Sequence, residues 1–124
     1  MDTAVLVSQA QALALRLDQT KIKPRAVMWV HQPDTGTWRL WITPDPSVSD
    51  KREFYRVVAE TISRHPQELA GLDVGTTEYI SAEHPAIKGM GRFINMPGIG
   101  SAQFTGNRFN GFFLPDGIVI RMDL

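Results

Sequence analysis

The stretch that decides the fold is AVMWVHQPDTGTWRLWIT, residues 26–43. Its two halves are rich in valine, isoleucine, tryptophan and threonine, which favour β-strands. Between them, the sequence Pro33-Asp34-Thr35-Gly36 combines residue types that start and close tight turns. This arrangement predicts a β-hairpin with strands at residues 26–31 and 37–43.

The register of this hairpin decides which side chains share a face. A type I turn with Gly36 in the left-handed conformation predicts that Trp29 pairs with Trp41 and that His31 pairs with Arg39. Since side chains alternate along a strand, these four residues would lie together on one face. The opposite face would carry Met28, Val30, Trp38, Leu40 and Ile42.

An amphipathic helix is predicted on each side of the hairpin, because apolar residues recur there at helical spacing. The first helix would present Leu6, Val7, Ala10, Leu13, Ala14 and Leu17 to the core. The second would begin at Asp50, a good N-cap residue, and end before Pro66. Its apolar face would consist of Phe54, Tyr55, Val57, Val58, Thr61 and Ile62.

The second half of the chain predicts further strands. A short strand is expected at residues 76–81, and Pro85 can open a brief helix. Residues 89–106 carry five glycines among apolar side chains, which favours a structured loop or a bulged strand. Residues 109–114 and 118–122 predict a second hairpin. Because both of its faces are apolar, we expect these strands to be central in a sheet or covered on both sides.

The predicted fold is a single α+β domain over residues 1–124. A mostly antiparallel β-sheet is packed by two main helices as a two-layer sandwich, in the order α-β-β-α-β-(short α)-β-β-β. A length of 124 residues, with 43% hydrophobic and 21% charged residues, suits one globular core.

Composition narrows the classes of function. Thirteen basic residues balance thirteen acidic ones, so we do not expect a nucleic-acid partner, although Lys21, Lys23 and Arg25 cluster before the hairpin. No run approaches the roughly 20 apolar residues of a membrane helix. The first apolar run follows Asp2 and precedes the first basic residue, unlike a signal peptide. With no cysteine in the chain, we expect a cytoplasmic protein.

No pattern for catalysis or metal binding emerges. The three histidines, His31, His65 and His84, form no His-x-x-x-His pair, so we expect no metal site and no cofactor. The weak catalytic candidates are His84 with Glu83, and Arg92 in the glycine-rich stretch as an anion contact. The glycines match neither phosphate-binding motif. We therefore expect a protein that is not an enzyme.

Two functional hypotheses follow for the aromatic residues. The first is a small non-catalytic interaction domain that binds a protein partner, or itself as a homodimer, through Trp29, Trp41, His31 and Arg39. This requires the tryptophan face to be exposed, whereas a covering helix would make both rings core. The second is a small-molecule-binding protein or a small enzyme, with a pocket between sheet and helix. Its candidate lining residues are Trp29, Trp41, Phe93 or Phe113, with His84 or Arg92 as polar anchors.

Overall fold

The computed structural model describes residues 3–109 and 111–124, without the side chain of Asn107. In chain order the helices are α1 (Thr3–Leu17), α2 (Lys51–Arg64) and α3 (Pro85–Gly91). The strands are β1 (Ala26–Gln32), β2 (Thr37–Thr43), β3 (Thr77–Tyr79), β4 (Ala102–Phe104), β5 (Asn107–Phe109), β6 (Phe112–Leu114) and β7 (Gly117–Met122). A single 3₁₀ turn at Val74–Thr76 precedes β3. The predicted α+β class and the order of helices and strands are confirmed.

The main sheet has five strands in the order β3-β2-β1-β7-β4. All neighbouring strands in it are antiparallel except β2 and β3, which are parallel. Strands β5 and β6 form a separate two-stranded sheet. The last strand, β7, therefore lies between β1 and β4 in the interior of the main sheet.

Helices α1 and α2 cover one face of this sheet, as predicted. The buried side chains of α1 are Leu6, Ala10, Leu13, Ala14 and Leu17, and those of α2 are Phe54, Val57, Val58 and Thr61. They pack against Val27, Trp29, Leu40, Ile42, Ile118 and Ile120 of the sheet. Asp50 caps α2 by accepting a hydrogen bond from the Arg52 amide at 2.9 Å, which confirms the predicted helix start.

Helix α3 and the β5–β6 sheet cover the opposite face. Buried there are Ala26, Met28, Val30, Trp41, Ile80, Ala86, Ile87, Met90, Leu114, Val119 and Met122. Pro85 opens α3 as predicted, and His84 caps it through Nδ1, which accepts a hydrogen bond from the Ala86 amide at 3.1 Å. Both faces of β1 and β7 are thus buried. This confirms the prediction for residues 118–122, but in the other strand of the predicted hairpin Phe112 and Phe113 are exposed.

The second predicted hairpin is wrong, because its two strands do not pair with each other. Strand β6 pairs with β5, while β7 pairs with β1 and β4; residue 110, within the predicted strand at 109–114, lies outside the described residues. The segment between β6 and β7 forms hydrogen bonds to other parts of the chain. The Asp116 carbonyl accepts a hydrogen bond from the His31 amide at 2.9 Å, and its carboxylate accepts one from the Gly106 amide at 2.6 Å. These bonds hold the segment that connects the two-stranded sheet to the main sheet.

The side chains of β7 do not alternate strictly along the strand. Ile118 and Ile120 lie on the face covered by α1 and α2, but Met122 lies with Val119 on the opposite face. The cause is a register shift between β1 and β7 at Val27 and Met28. Such an irregularity breaks strict alternation along the strand.

Candidate functional site

The predicted pairing of Trp29 with Trp41 is wrong by one residue. In the structure Trp29 lies opposite Leu40, and Trp41 lies opposite Met28. The predicted register would make Pro33 a ladder residue opposite Thr37, but proline has no amide hydrogen to donate. The ladder ends instead at Gln32 and Thr37, and Gly36 adopts the predicted left-handed conformation with φ of 68°.

This shift sends the two tryptophans to opposite faces of the sheet, because a slip of one residue reverses every side chain of one strand relative to the other. Trp29 lies in the core under α1, where its indole N–H donates to the Leu6 carbonyl at 2.7 Å. Trp41 lies in the core under α3. Both are buried, so the four predicted binding residues form no common exposed platform.

The other two predicted binding residues separate in the same way. His31 lies opposite Trp38, and their rings are 4.9 Å apart between centroids. Arg39 lies opposite Val30, on the face that contains Trp41. The prediction that Trp38 shares a face with Leu40 and Ile42 is confirmed, since all three contact the core under α1 and α2.

Beside Trp41, the structure contains a groove that we call the β6 groove. It has a volume of about 550 Å³ and lies between β6 and the ends of β1 and β2. Val30 and Trp41 line it from the main sheet, and Phe112, Phe113 and Leu114 line it from β6. Phe112 and Phe113 are exposed, so an aromatic wall of this groove faces solvent.

A row of three aromatic rings supports this groove. The ring of His84 contacts Trp41 edge to face at 5.3 Å between centroids, and contacts Phe112 in the same manner at 4.7 Å. Edge-to-face geometry of this kind is favourable between rings. The Trp41 indole N–H is buried and has no hydrogen-bond acceptor among the described residues.

An ion pair lies on the rim of the β6 groove. The Arg39 guanidinium is 3.3 Å from the Glu78 carboxylate, and it also donates to the Gly75 carbonyl at 2.6 Å. Both side chains are at least one-third exposed. The pair therefore offers one positive and one negative group to anything that enters the groove.

Burial and hydrogen bonding both favour the neutral form of His84. Burial lowers its pKa below the ordinary value of 6.5, and the Glu78 carboxylate opposes this shift more weakly. Because Nδ1 accepts the Ala86 amide hydrogen, the single ring proton resides on Nε2. His84 thus acts as a helix cap and as a ring between Trp41 and Phe112.

The structure does not assemble the candidate catalytic residues. Glu83 is exposed and forms an ion pair with Lys88 at 2.7 Å. Arg92 is exposed at the far end of α3, where it is the C-cap residue. Only His84 lies beside the groove. Within residues 3–109 and 111–124, no group of three histidine or carboxylate side chains is placed to hold a metal ion.

Of the predicted pocket residues, the groove gathers Trp41 and Phe113, whereas Trp29 lies on the other face and Phe93 does not line it. Sequence reasoning missed Phe112 and Glu78 as parts of this site. The consecutive residues Phe112 and Phe113 could have indicated an exposed aromatic side chain, because adjacent strand residues point to opposite faces and cannot both enter one core.

No family model matches this chain, and no curated protein or solved structure matches it significantly. Within the part of the chain that the structure describes, no helix has the length and apolar character needed to cross a membrane.

Proposed function

We propose that this chain is a small non-catalytic interaction domain that associates with a second copy of itself through the β6 groove. The observation that carries the proposal is Phe113, an aromatic side chain 54% exposed at the edge of an open aromatic groove. Aromatic side chains, phenylalanine among them, are enriched where proteins meet.

The surface around this groove has features that suit contact with a second copy. An exposed aromatic side chain and a concavity lie next to each other, so a two-fold axis can seat Phe113 of each copy in the groove of the other. The rim adds charge complementarity. In the proposed dimer, Arg39 of one copy can pair with Glu78 of the other, and such pairs fix the orientation of an interface.

The test is a measurement of molecular mass in solution by sedimentation equilibrium or light scattering. We expect the wild-type chain to form a dimer that dissociates on dilution. Phe113→Arg is expected to be a monomer, since it places an unpaired charge in the buried contact. Because Phe113 is exposed, its replacement leaves the core intact, which circular dichroism can verify.

The matched control is Phe93→Arg. Phe93 is 81% exposed but does not line the groove, so this variant is expected to dimerise like the wild type. A wild-type chain that stays monomeric at high concentration would overturn self-association. Equal loss of the dimer in both variants would instead overturn the groove as its site.

A further inference from the structure

We propose that a second concavity, on the face of the sheet covered by α1, binds a small uncharged and largely apolar molecule. We call this concavity the Trp38 cleft. It lies between α1, the start of β2 and the segment that follows α2, and its volume is about 430 Å³. Clefts of roughly 300–1,000 Å³ hold small-molecule ligands.

Two tryptophan rings line the Trp38 cleft. Trp29 is fixed by its hydrogen bond to the Leu6 carbonyl, and Trp38 is packed against the ring of His31. Val5 of α1 and Leu72 add aliphatic surface. Because these rings are already held in place, a ligand would order few side chains on binding, which favours affinity.

The chemistry of the lining selects an uncharged ligand. Among the described residues, none with a charged side chain lines the cleft. The polar side chains present are those of Gln9, Thr37 and Thr76, which can form hydrogen bonds but cannot neutralise a charge. A ligand with a buried charge would lose its hydration without gaining a counter-charge, and that loss is large.

The Trp38 cleft is distinct from the β6 groove. The two concavities lie on opposite faces of the sheet and share only Thr37, at the end of the β1–β2 hairpin. The inference therefore does not rest on self-association, and ligand binding is expected to be the same in a monomer and in a dimer.

The experiment compares two fluorescent probes that differ in one charge. N-phenyl-1-naphthylamine is uncharged, and 8-anilinonaphthalene-1-sulfonate has the same ring system with an added sulfonate. We expect the uncharged probe to bind saturably, with energy transfer from tryptophan, and the sulfonate to bind about tenfold more weakly or worse. Equal binding of the two probes, or no binding of the uncharged one, would overturn the proposal.

A pair of variants on α1 locates the probe. Val5 and Leu15 are 49% and 54% exposed, but only Val5 lines the cleft. Val5→Glu is expected to weaken the uncharged probe about tenfold, while Leu15→Glu leaves its affinity unchanged. Thr76→Lys, on the opposite wall, repeats the test if Val5→Glu unfolds early. Equal effects of Val5→Glu and Leu15→Glu would place the probe elsewhere.

The monomeric Phe113→Arg variant separates this inference from self-association. It is expected to bind the uncharged probe with wild-type affinity, whether or not the wild-type chain dimerises. Loss of the probe in Phe113→Arg would show that the probe reports a contact between copies, and the Trp38 cleft would then not be a ligand site.

Discussion

The two buried tryptophans of the first hairpin differ in how their indole N–H groups are satisfied. Trp29 donates to the Leu6 carbonyl, whereas Trp41 has no acceptor among the described residues. A buried donor without a partner costs roughly 1–3 kcal/mol, and removing it with a similar ring recovers part of that cost.

We therefore predict that Trp29→Phe destabilises the fold more than Trp41→Phe. Trp29→Phe removes the hydrogen bond to the Leu6 carbonyl and leaves a cavity, which together cost roughly 2–4 kcal/mol. Trp41→Phe leaves a cavity but removes an unsatisfied donor, so its cost should be about 1–2 kcal/mol smaller. Chemical denaturation of the two variants measures the difference, and equal losses would contradict the prediction.

His84 makes the stability of the fold depend on pH. Burial lowers its pKa in the folded chain below the ordinary value of 6.5, so the unfolded chain binds the proton more tightly. Its contribution to stability is complete above pH 6.5 and is lost as the pH falls from there through the lower folded pKa. Protonation also removes the acceptor that caps α3.

The corresponding measurement is the free energy of unfolding between about pH 8 and pH 5. We expect the wild-type value to fall over this range, and His84→Asn, which keeps a capping side chain, to fall less. Glu53 keeps its contribution throughout this window: Arg56 and then Lys21 lower its folded pKa to about 2, and the contribution is lost only as the pH falls below the ordinary value of 4.5. Parallel pH profiles for the two proteins would contradict the role of His84.

At the scale of elements, β7 is tightly enclosed at its first residue, Gly117. A Cβ atom added at Gly117 would collide with the Trp29 carbonyl oxygen and with the ring of Phe104. These contacts come from the neighbouring strands β1 and β4. A side chain at this position would push apart the centre of the main sheet.

Gly117→Ala is expected to lower the free energy of unfolding by about 1–3 kcal/mol or more, as overpacking does in other cores. Gly98→Ala is the matched control, because a Cβ atom there meets no heavy atom within 4 Å and its φ is not positive. Thermal unfolding of the two variants makes the comparison. Similar midpoints would show that the sheet accommodates a Cβ atom at Gly117 without loss of stability.

Helices and strands were predictable from sequence where local chemistry specifies them. The apolar periodicity of α1 and α2, the Asp50 cap and the Pro85 helix start depend on residues a few positions apart, and all are confirmed. The choice of strand partner is different. Strand β6 pairs with β5 and not with β7, and β7 pairs with β1 from the other half of the chain, a partner that no local pattern specifies.

The candidate site was predictable only in part for the same reason. The structure places His84 in contact with Trp41, and Arg39 lines the β6 groove, but their roles stay predictions. The predicted Trp29–Trp41 platform is wrong because the turn is one residue longer than expected. A shift of one residue moves every side chain of one strand to the opposite face relative to the other strand. Composition near the turn favours a hairpin but does not fix its register.

At the scale of the whole molecule, the main sheet pairs strands that are far apart in the sequence. Strand β7 pairs with β1, about ninety residues earlier, so the centre of the sheet forms only after a long loop is closed. A side-chain contact fastens this closure. Arg121 of β7 donates to both carboxylate oxygens of Asp18, at the end of α1, at 2.7 and 2.9 Å.

This ion pair is better shielded than the others at the surface. The Arg121 side chain is 11% exposed, that of Asp18 is 35% exposed, and Arg121 also donates to the Pro24 carbonyl at 3.0 Å. Removing one partner of a shielded pair leaves the other charge poorly hydrated. We predict that Asp18→Asn lowers the free energy of unfolding by roughly 1–2 kcal/mol, between the values for exposed and buried pairs.

The matched control is Glu68→Gln, which breaks the ion pair between Glu68 and Arg16 of α1. Both side chains of that pair are 36% exposed, so water compensates for its loss and the effect should be smaller. Adding Arg121→Gln to Asp18→Asn should cost less than the sum of the single changes, because the two residues act through one contact. Additive losses, or equal effects of Asp18→Asn and Glu68→Gln, would mean that the closure of the sheet relies on backbone pairing and apolar packing alone.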